Sequence, residues 1–173
     1  MNDIRYTYTK SPHGDILLAR SELGITHILF QSGKMNAKPK QGWQRDTTGL
    51  EDATDQLRAY FDGRLERFEL PLAPQGTDFQ RKVWDALVKI PCGETVSYAE
   101  VADRIGQPKS VRAVASANAR NKIAIVIPCH RVIGSDGKLR GYAGGLHVKA
   151  ALLDHEWTMV QQRARDAELA SAG

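Results

Sequence analysis

Hydrophobic and polar positions divide the chain into a strand-like first third and a mostly helical remainder. Residues 4–10 are β-prone, Pro12-His13-Gly14 marks a turn, and residues 15–19 and 24–30 read as two further strands. The last of these alternates apolar and polar at its start, and the pattern predicts a meander of hairpins. Residues 31–47 are polar, hold Gly33, Pro39 and Gly42, and read as loop. A helix is expected over 49–62, with Leu50, Leu57, Tyr60 and Phe61 on one side and Gly63 at its end. Residues 65–72 read as a short extended piece. Two prolines and a glycine between Pro71 and Gly76 then fit a connector between domains.

The period changes after the connector. Thr77 and Gln80 have the spacing of a capping box, and Phe79, Val83, Leu87 and Ile90 follow at helical intervals with Trp84 beside them. That stripe reads as core packing. Pro91-Cys92-Gly93 closes this helix. Ser97 and Glu100 form a second capping-box pattern, opening a short helix that ends at Ile105-Gly106. Gln107-Pro108 turns the chain into a third helix over 109–119, which gives a helix-turn-helix pattern. Its residues are mostly small: Ser110, Ala113, Ala115, Ser116, Ala117 and Ala119. Small side chains let a backbone approach a neighbouring helix or a nucleic-acid groove closely.

Asn121 ends the third helix. The run Ile123-Ala124-Ile125-Val126-Ile127 is rich in β-branched residues and reads as a buried strand, stopped by Pro128. Ser135-Asp136-Gly137 reads as a turn. Residues 141–145 form a Gly-rich loop without the spacing or trailing Lys-Ser/Thr of a phosphate loop. A final helix is expected over 146–155, with Val148, Leu152 and Leu153 inward, and residues 158–173 read as a polar, Ala-rich tail or a frayed helix. The domains expected are thus 1–72, a sheet-and-helix lobe, and 77–157, a mostly helical one, followed by the 158–173 tail.

Composition narrows the class. Hydrophobic content of 42% and charged content of 25% are ordinary for a soluble globular chain. No apolar run approaches the ~20 residues that span a bilayer. The amino terminus lacks the layout of a signal peptide, so the cytoplasm is the expected compartment. There the two cysteines, Cys92 and Cys129, are expected as thiols. The net charge of +4 is mild, but residues 104–149 hold nine Lys/Arg and a single acid, Asp136, a surplus of eight that leaves the rest acidic by four. A basic half beside an acidic one fits a polyanion partner, or a solvated face that happens to be basic.

The candidate chemistry sits after Pro128. Thiolate is the reactive form of cysteine, and Cys129 is followed at once by His130, a possible base. Adjacent side chains on extended backbone point apart, so the proton would pass directly or through a water. A carboxylate orienting the imidazole would be Glu156, Asp154 or Asp136. The alternative is an inert core thiol. Cys92, Cys129, His130 and His155 show no usual metal-ligand spacing.

Several ordered motifs make the second half specific. Ile90-Pro91-Cys92-Gly93-Glu94-Thr95-Val96-Ser97-Tyr98, Arg112-Ala113-Val114, Asn121, Pro128-Cys129-His130-Arg131 and Gly141-Tyr142-Ala143-Gly144-Gly145 closely resemble the O6-alkylguanine-DNA alkyltransferases. The resemblance runs from about Phe79 to Glu156; the first 70 residues match loosely. It implies an α/β (α+β) fold: an amino-terminal ribonuclease-H-like sheet-plus-helix lobe, then a winged-helix-like lobe with a helix-turn-helix.

The resemblance also implies an activity: irreversible, stoichiometric transfer of an alkyl group from O6-alkylguanine, and from O4-alkylthymine, in duplex DNA. The helix-turn-helix would bind the minor groove and the damaged base would be flipped out. Cys129 would be the acceptor, His130 its base through a water, Glu156 the group polarising His130, and Asn121 the hinge of the active-site loop. Arg112 would fill the space left by the flipped base, and Tyr98 would meet the 3′ phosphate and guanine N3. The carbonyls of Cys129 and Val132 would accept from the exocyclic amine, the Ala143 amide would donate to O6, and Tyr142 would wall the pocket. Ala113, Ser97 and Lys109 complete the expected DNA-facing set. Some relatives carry Ser at the place of Ala143, and the zinc ligands of certain relatives have no counterpart, because residues 1–72 contain no cysteine. No metal, no cofactor, no membrane and no obligate protein partner are expected, and a monomer in solution. The alternative is a non-catalytic sensor of alkylated DNA; such proteins replace the reactive cysteine, which is present here.

Overall fold

The computed structural model describes residues 3–32 and 38–173. The expected meander forms: β1 (Arg5–Ser11), β2 (Gly14–Ser21) and β3 (Gly24–Phe30) pair antiparallel in sequence. The expected loop over 31–47 falls partly on residues 33–37, outside the described residues, and its later part departs from expectation. A two-residue strand, β4 (Gln44–Arg45), joins parallel to β1, giving the order β3-β2-β1-β4. Its polar sequence carries no strand pattern. It forms because β1 has a free edge, onto which Gln44 and Asp46 donate to the carbonyls of Ile4 and Tyr6.

Helix α1 (Glu51–Phe61) lays Ala53, Leu57 and Tyr60 into the core beside Ile16, Leu18, Ile28 and Phe30 of the sheet. Strand β3 is buried along its whole length, and its outer edge is covered twice. Ile25 bonds to Pro71 and Ala73, and Ile28 bonds to Lys122 and Ala124. The second contact carries the amino-terminal sheet directly to the segment before Cys129.

In the second half, α2 (Asp78–Val88) starts with the full capping box of Thr77 and Gln80 and buries Val83, Trp84 and Leu87. After β5 (Val96–Ser97) comes α3 (Tyr98–Arg104), where Ser97 Oγ accepts from the Glu100 amide, but the Glu100 side chain makes no return bond among the described residues. Helix α4 runs over Val111–Ala119, and the Trp84 indole donates to the Ala117 carbonyl at 2.9 Å, which ties α2 to α4.

Two further expectations require correction. Residues 123–127 do not form a strand. Only Ile123 makes a β-bridge, to Ile28, and the chain then coils tightly, with Val126 bonding to Ala124 and Ile127 to Ile123. Ile125 stands at φ 71, a conformation that β-branched residues rarely take. An apolar run shows that a segment is buried but not its backbone shape. Here the side chain of Asn121, bonded to the Ile123 amide and the Ile127 carbonyl, replaces the missing ladder.

The last helix does not stop near 155: α5 spans Leu146–Ser171, absorbing the tail. Val148, Leu152, Glu156 and Met159 face inward, while Arg163 pairs with Glu66 at 3.3 Å and bonds to the Arg64 carbonyl. Beyond that, Ala, Arg, Gln and Glu favour continuation of the helix.

Candidate active site

Pro128 ends the coil, and Cys129–Arg131 form one 3-10 turn leading into β6 (Val132–Ile133), which pairs parallel with β5. This turn places three chemically active side chains in the interior: Cys129 is 4% exposed, His130 0% and Arg131 6%. Helix α5 meets it with Glu156 and Lys149, both fully buried.

Glu156 is the hub. His130 Nε2 lies 2.6 Å from its Oε1. Arg131 donates with Nε to Oε2 and with Nη2 to Oε1, both at 2.8 Å, a two-pronged guanidinium–carboxylate pair. Tyr60 donates its hydroxyl to Oε1 at 2.8 Å, and the Gly93 amide reaches Oε2 at 3.4 Å. Gly93 has φ +84, and a Cβ there would stand 2.8 Å from Val160, so glycine is required for this approach. Burial works against the Glu156 charge, but His130 and then Arg131 outweigh it and hold its carboxyl far below the ordinary range. Of the three carboxylates open in the sequence, Glu156 is the partner of His130; Asp136 pairs instead with Arg140 at the surface, and Asp154 is exposed.

The tautomer of His130 follows. With Oε1 an acceptor, Nε2 carries the proton and Nδ1 is left basic. Nδ1 is buried without a hydrogen-bond partner among the described residues. Burial lowers the His130 pKa, with the Glu156 charge opposing, so the imidazole rests neutral. Burial raises the Cys129 thiol, while Asn121 and the Lys149 ammonium pull it back. The resting pair is thus thiol and neutral imidazole. Lys149 donates to the Arg140 carbonyl at 2.9 Å, and burial brings its own pKa down to about 8.

A cavity of about 810 Å³ opens beside the thiol. Among the expected residues, Tyr98, Asn121, Cys129, Tyr142 and Ala143 line it; His130 and Glu156 do not. Two polar atoms, Asn118 Oδ1 and Tyr142 OH, are buried there without partners among the described residues. Tyr142 is held by Phe30 of β3, ring centroids 6.4 Å apart. Val132 is buried in β6 and, like His130 and Glu156, does not line the cavity.

Lys109, Arg112 and Ala113 are exposed at the start of α4, outside the cavity, and Ser97 caps α3. The exposed face of α4, with Arg112, Ala113, Ser116, Ala119 and Arg120, combines small side chains with cations.

The sequence did not single out Arg131, Lys149, Asn118 or Tyr60. Lys149 and Glu156 had a signal, since they share the apolar face of a helix, where charges are rare unless they are used. Tyr60 gave none, because it sits in an ordinary apolar stripe.

Fold and site together define a class: a sheet lobe joined to a helix-turn-helix lobe, with a buried cysteine beside a hydrogen-bonded histidine–glutamate pair. The comparisons agree with that class. Residues 4–74 match the model for the 6-O-methylguanine DNA methyltransferase ribonuclease-like domain, and residues 78–158 match that for the DNA binding domain of the same protein. The chain belongs to this family. It is 54% identical to the methylated-DNA--protein-cysteine methyltransferase of Methanosarcina barkeri, over 87% of this chain and 96% of that one. It is 46% identical to the Mycobacterium tuberculosis protein of the same name, over 88% of this chain and 92% of that one. The crystal structure of Mycobacterium tuberculosis OGT in complex with DNA superposes with a TM-score of 0.83 at 45% identity, covering 90% of this chain and 94% of that one.

Proposed function

We propose that this protein repairs alkylated DNA directly, moving the alkyl group of O6-alkylguanine, and of O4-alkylthymine, onto Cys129. The observation that carries the reading is a buried thiol on the wall of a cavity roomy enough for a nucleobase, backed by a neutral imidazole whose other nitrogen is anchored to an ionised carboxylate. A base stacked in a duplex cannot reach a thiol that is 4% exposed, so the base must leave the stack.

In this reading α4 lies in the minor groove, where its small residues permit close approach, while Lys109 meets phosphate and Ser97, Ala113 and Tyr98 the strand beside it. Arg112 fills the gap left by the flipped base. The purine enters between Tyr98 and Tyr142. The carbonyls of Cys129 and Val132 accept from its amine, and the Ala143 amide donates to O6. A water between Cys129 and His130 Nδ1 carries the thiol proton to the imidazole. Sγ then attacks the alkyl carbon opposite O6, the S–C bond forms as the O–C bond breaks, and the electron pair leaves with O6. The resulting guanine anion takes up one proton and the imidazolium gives one up, so one thiol and one alkyl ether give one thioether and one guanine. Asn121 holds the loop that positions the cysteine.

The thioether is stable and nothing in the site reverses it, so each molecule acts once. No step requires a metal or cofactor. Residues 1–72 and 77–157 are two lobes of one working unit, acting as a monomer in the cytoplasm. The sensor alternative is not favoured, because Cys129 is retained with its relay.

Intact mass after mixing the protein with a duplex bearing O6-methylguanine tests the reading. A gain of one methyl group, mapped to Cys129 and saturating at one per protein, is expected. Tight binding without any mass gain would overturn alkyl transfer in favour of the sensor.

A further inference from the structure

We propose that Tyr60, from the amino-terminal lobe, is a positioning residue for alkyl transfer, acting through Glu156 on His130. The proposal rests on the alkyl-transfer reading above. It gives the amino-terminal lobe a part in the chemistry beyond support.

The argument begins with the carboxylate's capacity. Two oxygens offer about four lone-pair sites. Glu156 is approached by five donors: Tyr60 OH, His130 Nε2 and Arg131 Nη2 at Oε1, and Arg131 Nε and the Gly93 amide at Oε2. Tyr60 and His130 thus share one oxygen. Whatever charge the phenol hydroxyl draws from Oε1 is not available to a protonated His130. Burial, reinforced by the Glu156 charge, pushes the phenol well above its ordinary pKa, so it donates at every working pH.

The tyrosine is also fixed in place. It is fully buried, its ring meets Phe61, Phe68 and His155 at centroid distances of 5.1, 5.5 and 5.1 Å, and its own carbonyl lies 2.6 Å from His155 Nε2. His155 adjoins Glu156 on α5. The same helical turn therefore clasps Tyr60 at its backbone and at its hydroxyl, across 96 positions of sequence.

The sign follows. The Arg131 and Lys149 charges also oppose the imidazolium, and the Cys92 thiol beside Tyr60 and Glu156, pushed up to about 12, stays neutral; these are the same in every variant. Without the hydroxyl, Oε1 concentrates more charge on His130 and favours the imidazolium. The base is then occupied by a proton at a higher pH, so the acid limb of the transfer rate moves up. A donor stronger than tyrosine moves it down.

The experiment is the single-turnover rate of Cys129 methylation against pH, for the native protein, Tyr60→Phe, and a protein with 3-fluorotyrosine at position 60. Each is tested on duplex O6-methylguanine and on the free O6-methylguanine base. The expected result is an acid limb raised by about one pH unit in Tyr60→Phe, as a charged hydrogen bond predicts, with the same shift on both substrates. The fluorinated residue shifts it the opposite way, and it decides the matter if Tyr60→Phe does not fold. Superimposable pH profiles, whatever the change in Tm, would reduce Tyr60 to a structural hydrogen bond and overturn the proposal while leaving alkyl transfer intact. A native protein that acquires no methyl group would overturn both.

Discussion

The interior of this protein is built in two ways. Around β2 and β3 the core is aliphatic and aromatic: Ile16, Leu17, Leu18, Ile28 and Phe30 are buried with few polar groups between them. His27 is one of the few ionisable groups there, and burial, then the nearby lysines, brings its pKa down to about 4, so it stays neutral. Around Cys129 the interior holds Asn118, Asn121, His130, Arg131, Lys149 and Glu156. Burying charges costs free energy even when they are paired, and an apolar cluster of the same volume is often at least as stable. The first core therefore serves stability. The second gives up stability to keep a thiol, a neutral base and an ionised carboxylate in fixed geometry.

Substitutions can separate the two. The largest effect is expected from Cys129→Ser, which removes the acceptor: no methylated protein by mass spectrometry, with retention of the damaged duplex in a mobility-shift assay. Residual methylation would identify another acceptor. Glu156→Gln comes next. It removes the charge that holds Arg131 and His130, and breaking a buried pair in this way costs about 3–5 kcal/mol. Denaturant unfolding should show that loss, with alkyl transfer abolished in whatever remains folded. A cost under 1 kcal/mol would mean the pair is not buried in solution.

Leu17→Ala is the counterpart in the other core. A cavity there should lower stability by about 2–5 kcal/mol, leaving the acid limb of the transfer rate unmoved. If that limb moved, the two regions would be coupled more closely than their packing suggests. Arg112→Ala, on the exposed face of α4, should leave Tm nearly unchanged. It should weaken reaction with duplex DNA by about 1–3 kcal/mol, far more than reaction with the free base. Equal losses on both substrates would remove its role in the duplex.

Acid should also act unevenly. Folding lowers the pKa of His130 and of Glu156, so both contribute stability above their unfolded values that is lost as pH falls. Loss from His130 begins as pH drops below about 6.5, and loss from Glu156 below about 4.3. Hydrogen exchange should rise below about pH 6.5 both around Cys129–Arg131 and around His27 of β3, whose pKa burial also lowers, and below about pH 4.3 further in the turn of α5 that carries Glu156. No further rise in that turn of α5 at the lower pH would mean that Glu156 is not held ionised by its partners.

Much of this was legible in the chain. The amino-terminal strands, α1, the Thr77 cap, the helix-turn-helix and the motif around Cys129 are local signals, set by side-chain period, capping chemistry and turn residues within a few positions of each other. Family membership was legible for the same reason, because its motifs are short and ordered. The coil at 123–127 was not, because five apolar residues demand burial without choosing a backbone; Asn121 and the edge of β3 chose it. Nor was the length of α5 beyond Glu156, which includes the contact of Arg163 with Glu66.

The charge network lay furthest from the sequence. Gly93, Arg131 and Glu156 fall within the stretch of family motifs, but no period or motif joins Tyr60 to them. Which residues could react, and most of the elements that carry them, follow from local patterns in the chain. The family resemblance already implied Glu156 as the partner of His130, but which nitrogen of that ring is left free, and that a tyrosine from the other lobe shares the same oxygen, came from packing alone. Those are contacts between distant segments, and they exist only once both lobes have packed.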